Sequence, residues 1–237
     1  MSTHSLSRCI LGTAFLSLAF GLQASTITIG APSLTATGNC DPFGCPQLFG
    51  LGTYQQVYAA SAFSGAQTID GLTFYDDEVQ NGAVPAGGTF TLSFSYTHDA
   101  PNALATTNPN ANVASGSEIF YSGSLPSLSA NTLNFIGAPF FYNPADGNLL
   151  LTVGVSNPSD LALTLYLDQS SSTAITTNAY FGVFDGKAID GGNGTGGLVT
   201  GFTLGSNSVS TPEPASLLLV LAGIGLIAYK RRRHDLS

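Results

Sequence analysis

The sequence has no tryptophan, one methionine and three cysteines in 237 residues, with six lysines and arginines against fourteen acids. Each scarcity removes a class of function. Six basic residues give too little positive surface to neutralise phosphates, so nucleic acid is excluded as a partner. The missing tryptophan takes away the best stacking platform for sugar rings. Charged residues make up 8% of the chain, so few salt bridges are available. No Gly-X-Y period orders the 28 glycines, which excludes a collagen-like rod. No internal repeat appears, which argues against propellers and solenoids. What is abundant is apolar. Hydrophobic residues reach 43%, with fifteen Phe and nine Tyr, enough for the core of one sizeable domain.

The two ends differ from the middle. Arg8 precedes an uncharged run from Cys9 to Leu22, and Gln23-Ala24 supplies a small residue for cleavage. Residues 1–24 therefore read as a secretory signal peptide. At the other end, Thr211-Pro212-Glu213-Pro214 leads into an apolar run, 215–229, followed at once by Lys230, Arg231, Arg232 and Arg233. Two prolines hold the chain extended, so a helix starts after them. Fifteen residues make a helix of about 22 Å against about 30 Å of hydrocarbon. Snorkelling of the basic side chains and local thinning close that gap. The expectation is a single transmembrane helix at 215–229, with a basic tail at 230–237 in the cytoplasm and everything before the helix outside.

Pro-Glu-Pro, a short apolar helix and an arginine cluster together resemble the PEP-CTERM sorting signal of exopolysaccharide-producing, mostly Gram-negative bacteria. The resemblance implies a membrane-bound processing enzyme, an exosortase, that cuts near Pro212, Glu213 and Pro214 while Lys230 to Arg233 act as the basic stop. It makes this chain the substrate of processing. Three interior stretches, Gly38 to Cys45, Tyr54 to Tyr58 and Phe141 to Leu151, are similar to parts of exported β-domains in that group, which carry no assigned activity.

The exported domain is placed at 25–208, with 209–214 as its linker to the membrane. Lys187 is its only basic residue, beside twelve acids, so solubility rests on Ser, Thr, Asn, Gln and net negative charge. Acidic polysaccharide would be repelled; neutral exopolysaccharide or a matrix protein fits better. Cys40 and Cys45 remain after the signal is removed. They flank Asp41-Pro42-Phe43-Gly44, a tight-turn sequence, and an even pair in an oxidising compartment reads as a disulfide.

The periodicity of this domain is two. Residues 89–97 alternate with Phe90, Leu92, Phe94 and Tyr96 on one face, and 161–167 alternate with four leucines on one face. Leu149, Leu151, Val153 and Val155 give a third face, and Leu198, Thr200, Phe202 and Leu204 a fourth. Shorter strands are expected at 26–29, 55–62, 67–75, 118–121, 132–136 and 179–184, with turn clusters between them. No stretch between the ends has a 3.6-residue apolar period. Strands without intervening helices mean antiparallel sheets, and two such sheets must close on each other. The expected fold is all-β: a jelly-roll-like antiparallel β-sandwich of about eight to eleven strands, with 100–116 as its longest loop.

Candidate chemistry is sparse. Asp76-Asp77-Glu78 is a dense acidic run after a strand. It reads first as a solvated turn, with weak calcium binding as the alternative and a glycosidase-type carboxylate pair as a lesser one. His98 is the only histidine outside the two ends, and no Gly-x-Ser-x-Gly elbow accompanies it. The stretch from Asp185 to Gly194 departs from a calcium loop in lacking a closing Glu, and reads as a glycine-rich hairpin loop. Tyr54, Tyr58, Tyr75 and Tyr142 form the softer aromatic platform a glycan site would need without tryptophan. The favoured reading is an exported, non-enzymatic surface or extracellular-matrix protein, with no cofactor beyond the calcium alternative. The alternatives are a glycan-binding module of the exopolysaccharide matrix of a biofilm, and a secreted polysaccharide hydrolase using Asp76, Asp77 or His98.

Overall fold

Period-two alternation settles into two facing sheets in the computed structural model, which describes residues 25–30, 38–44, 51–77, 87–159, 165–184, 187–190 and 196–205. The strands are β1 (Ser25–Ile29), β2 (Leu51–Tyr58), β3 (Gln67–Tyr75), β4 (Gly87–Thr97), β5 (Ser115–Gly123), β6 (Thr132–Tyr142), β7 (Asn148–Ser159), β8 (Thr176–Phe184), β9 (Lys187–Asp190) and β10 (Thr200–Leu204). Three short 3₁₀ turns join them, and no α-helix occurs among the described residues. Within that set no helix is long and apolar enough to cross a membrane, and the helix expected at 215–229 lies outside it. The signal peptide, the linker and the basic tail lie outside it as well.

One sheet has four strands in the order β1-β10-β3-β6, the other six in the order β5-β4-β7-β2-β8-β9, with all pairings antiparallel. The pairs β4–β5, β3–β6, β2–β7 and β1–β10 nest inside one another and alternate between the two sheets. That is one long hairpin rolled up, the jelly-roll connectivity the strand pattern pointed to, with β8–β9 added as an extra hairpin on the larger sheet.

The alternating faces meet in an aromatic core. Phe90, Leu92 and Phe94 of β4 and Leu149, Leu151 and Val153 of β7 are buried, as are Phe202 and Leu204 of β10. Phe43 inserts from a turn between the sheets and touches Phe74, Phe135 and Phe90 at centroid distances of 5.0, 5.4 and 6.0 Å. Phe202 contacts Tyr58 and Phe63 edge-on at 5.0 and 5.4 Å. Aromatic contacts of this kind stabilise by about 0.5–1.5 kcal/mol each beyond their burial. At one side of the sandwich β6 passes close to β5. A Cβ on Gly137 would stand 2.2 Å from the Phe120 carbonyl oxygen, so only glycine lets the backbones approach there.

Three strand expectations change. The strand expected at 55–62 runs from Leu51 to Tyr58, and Ala60–Ala62 form a 3₁₀ turn instead. The alternating run 161–167 is not a sheet strand where it is described. Leu165 and Leu167 are buried, but Leu167 forms only isolated bridges, to Asn39 and to Asp76. Residues 187–190, expected inside a loop, pair with β8 as β9. The long loop expected at 100–116 is present up to β5, but it is packed down. Leu104 and Val113 join Val57, Leu150, Ala179 and Phe181 in a second apolar cluster on the outer face of the six-stranded sheet.

Candidate functional site

β3 ends at Tyr75, and Asp76 and Asp77 follow directly. Neither lies in a solvated turn: they are 8% and 0% exposed. The cause is a segment from far along the chain. Residues 165–168 lie across the end of β3, where the Asp77 N–H donates to Tyr166 O and the Asp168 N–H to Tyr75 O, both at 2.8 Å. On its other side Leu167 exchanges hydrogen bonds with Asn39, at 2.8 and 2.9 Å. Gly44 also abuts this segment, since a Cβ there would stand 2.0 Å from Leu165 O. Glu78 lies outside the described residues. Among the described residues no three His, Cys, Asp or Glu side chains are placed to hold a metal ion.

Asp41 belongs to the same cover and is 7% exposed. Its N–H donates to Asn39 Oδ1 at 3.0 Å, and burial pushes its carboxyl up to about 6. Cys40 precedes it, and the Gly44 N–H closes the turn onto Cys40 O at 2.6 Å. Cys45 lies outside the described residues.

His98 is exposed and follows the far end of β4. Phe43 touches both Phe74, near the end of β3, and Phe90, near the start of β4, so Asp76 and Asp77 lie at the end of the sandwich where β4 begins, about 30 Å of strand away from His98. The structure does not bring these groups together. Of the stretch Asp185 to Gly194 only 187–190 is described, as β9.

The tyrosine platform is overturned at three of its four positions. Tyr54, Tyr58 and Tyr142 are fully buried. Tyr54 donates to Gln56 Oε1 at 2.6 Å, and Tyr58 OH pairs with Thr200 Oγ1 at 2.8 Å. The Gln56 amide accepts from the Leu198 N–H at 2.9 Å and donates to Leu198 O at 2.8 Å, as a neighbouring strand would. These bonds tie β2 to the lead-in of β10 across the two sheets. Burial raises the Tyr54 and Tyr58 hydroxyls far above their ordinary range, so they stay protonated and structural. Tyr75 alone reaches the outer face of the four-stranded sheet, where its hydroxyl meets Thr28 Oγ1 at 3.2 Å.

The two ends of the domain meet in one sheet. Ser25 is the register partner of Leu204, and the Gly205 N–H continues the pairing to Thr68 O at 2.9 Å. Five positions beyond Gly205, residues 210–233 match the PEP-CTERM protein-sorting motif. The chain carries a PEP-CTERM sorting signal. The matched residues include Pro212, Glu213 and Pro214, the apolar run and Lys230 to Arg233. The PEP-CTERM signal implies export, membrane anchoring before processing, and processing by an exosortase on the way to the cell surface. It covers the tail and leaves the activity of the β-domain unassigned. No curated protein and no solved structure matches the chain.

The sequence pattern missed the cover that buries Asp76 and Asp77. Its signal was present, since Leu165 and Leu167 sit at alternate positions, but alternation alone does not tell a sheet strand from a strap.

Proposed function

We propose that this protein is an exported, non-enzymatic component of the cell surface or extracellular matrix of a Gram-negative bacterium. A signal peptide at 1–24 sends it across the inner membrane, and a helix at 215–229 holds it there until its tail is cut near Pro212 to Pro214. The PEP-CTERM match at 210–233 carries the reading. The fate of the candidate groups supports the non-enzymatic part: three tyrosines are spent in the core, and His98 lies at the opposite end of β4 from the buried acids. A Cys40–Cys45 disulfide belongs to the proposal. The Gly44 N–H bond to Cys40 O, which bends the chain tightly between the two cysteines, supports it. No cofactor is included. Added calcium leaves the unfolding temperature unchanged on this reading; a rise would return Asp76, Asp77 and Glu78 as a site.

Intact-mass measurement of the protein from fractionated native cells tests the processing. The expected mature chain begins near Ser25 and ends near Pro214. A mature pool that retains Ser237 defeats the reading. Turnover of a polysaccharide that disappears on changing Asp76, Asp77 or His98 would replace it with a hydrolase.

One observation favours a second reading, a module for neutral exopolysaccharide. Tyr75 sits on an outer sheet face with Thr28, and beside it Thr73 donates to Asn134 Oδ1 at 2.8 Å. An aromatic ring among hydroxyl and amide groups is the chemistry that binds sugars. Retention on neutral glycan columns that Tyr75→Ala abolishes would establish it.

A further inference from the structure

The last residue of the domain with a described backbone bond is Gly205, held to Thr68, and the apolar run begins at Ala215. Ten residue steps separate them, which reach at most about 35 Å when fully extended. The N-terminal apolar run is joined to Ser25, and Ser25 lies beside Leu204 in the sheet at the roughly 5 Å spacing of paired strands. Both hydrophobic segments of the precursor therefore leave the domain from the same end of the four-stranded sheet.

That end carries an exposed aromatic side chain. Gln67 pairs with Tyr142 and Ile69 with Phe140, and all four are buried. Alternation turns the intervening pair, Thr68 and Phe141, to the outside. Phe141 is 61% exposed. Thr68 thus has Phe141 on one side and Gly205, the root of the tether, on the other.

We propose that the anchored precursor rests on the lipid surface through this end of the four-stranded sheet, with Phe141 entering the headgroup boundary. The inference rests on the PEP-CTERM reading and adds the orientation of the domain. The tether draws this end to the bilayer, and an exposed ring gains by leaving water at the interface. The nearby acids, Asp70 on β3 and Asp146 after β6, make the contact apolar and favour neutral lipid over anionic lipid.

The chain has no tryptophan, so a single introduced one reports its own surroundings. F141W and S127W, the latter an exposed position in the turn before β6, are placed in the full chain and reconstituted with brominated phosphatidylcholine vesicles. The expected result is flotation of both with the vesicles, with about a twofold loss of emission and a blue shift for F141W alone. Flotation with F141W unquenched, or with S127W quenched as strongly, overturns the orientation and leaves the anchoring intact. A blue shift without quenching means that protein covers Phe141, and also overturns it. Chains that do not float remove the anchoring reading and the orientation together.

Discussion

The two sheets treat their outer faces differently. On the six-stranded sheet, the loop before β5 lies across the strands. Asn112 is buried there, donating to Gln55 Oε1 at 2.8 Å and to Ala105 O at 3.0 Å, while its Oδ1 accepts from the Ala105 N–H at 2.7 Å. Leu104 closes the apolar cluster beneath. On the four-stranded sheet nothing described covers the outer face, which presents Thr26, Thr28, Asn134, Ile136 and Phe141 to the outside. Among the described residues about fifteen seal one face, and none seals the other. The sealed face also contributes to stability, while the bare face, next to the tether, is where contact with other matter is expected.

Truncation should separate the faces most sharply. Leu104 is 2% exposed, so Leu104→Ala is expected to cost about 2–5 kcal/mol in urea unfolding. Ile136, on the bare face, is 86% exposed, and Ile136→Ala should change stability by less than about 0.5 kcal/mol. Equal costs would break the comparison, because they would mean that both faces are covered in solution.

Sealing has a cost where it encloses a charge, and Asp41 measures it. Its carboxyl is raised by burial from 3.8 to about 6. The folded state then binds more protons than the unfolded chain between these values, so this group's contribution to stability falls as pH rises through the window. Above it the deficit is about 3 kcal/mol, from roughly two pKa units at 1.36 kcal/mol each. Asp41→Asn should be more stable than the parent at pH 7 by up to that amount, with the difference vanishing near pH 4. Urea midpoints across pH 4 to 7 test this; a parent that gains stability over the Asn variant as pH rises would show the carboxylate to be favourably held.

Asn112 is the next step down. Asn112→Ala leaves Gln55 and the Ala105 peptide groups short of partners beneath the loop, at an expected cost of about 1–3 kcal/mol. Because Gln55 also donates to Pro109 O at 3.0 Å, a double-mutant cycle with Gln55→Ala should show coupling of about 0.5 kcal/mol or more. Independent costs would mean that the loop is held by Leu104 and Val113 alone.

Much of the fold was legible because it is written at short range. The alternation at β4 and β7 and the runs around β3 and β10 need only a two-residue period and a turn at each end. The jelly-roll order followed from having strands and no helices. What was not legible depends on segments far apart in sequence. Asp76 and Asp77 look like a solvated acidic turn until 165–168 folds over them. Tyr54 and Tyr58 look like an available platform until Thr200 of the other sheet and Leu198 before it close over them and over Gln56. Alternation cannot say which face of a strand a distant loop will cover. The sorting motif was legible because its chemistry is contiguous: two prolines, an apolar run and four cations.

The smallest effect is expected on the bare face itself, and it discriminates best between stability and function. Thr73 donates to Asn134 Oδ1, and the Asn134 Nδ2 donates to Thr132 Oγ1, both at 2.8 Å on an exposed surface. Water replaces such bonds at little cost, so Asn134→Ala and Tyr75→Ala should each move the unfolding free energy by about 0.5 kcal/mol or less. Tyr75 is half-buried, and its hydroxyl bond to Thr28 is exposed, so loss of the ring should trim packing without opening the core. If these variants lose glycan retention at unchanged stability, the face is a binding surface. If Tyr75→Ala instead costs as much as Leu104→Ala, its ring holds β1 against the sheet. The contrast between a sealed face and a free one would then have to be redrawn around β1.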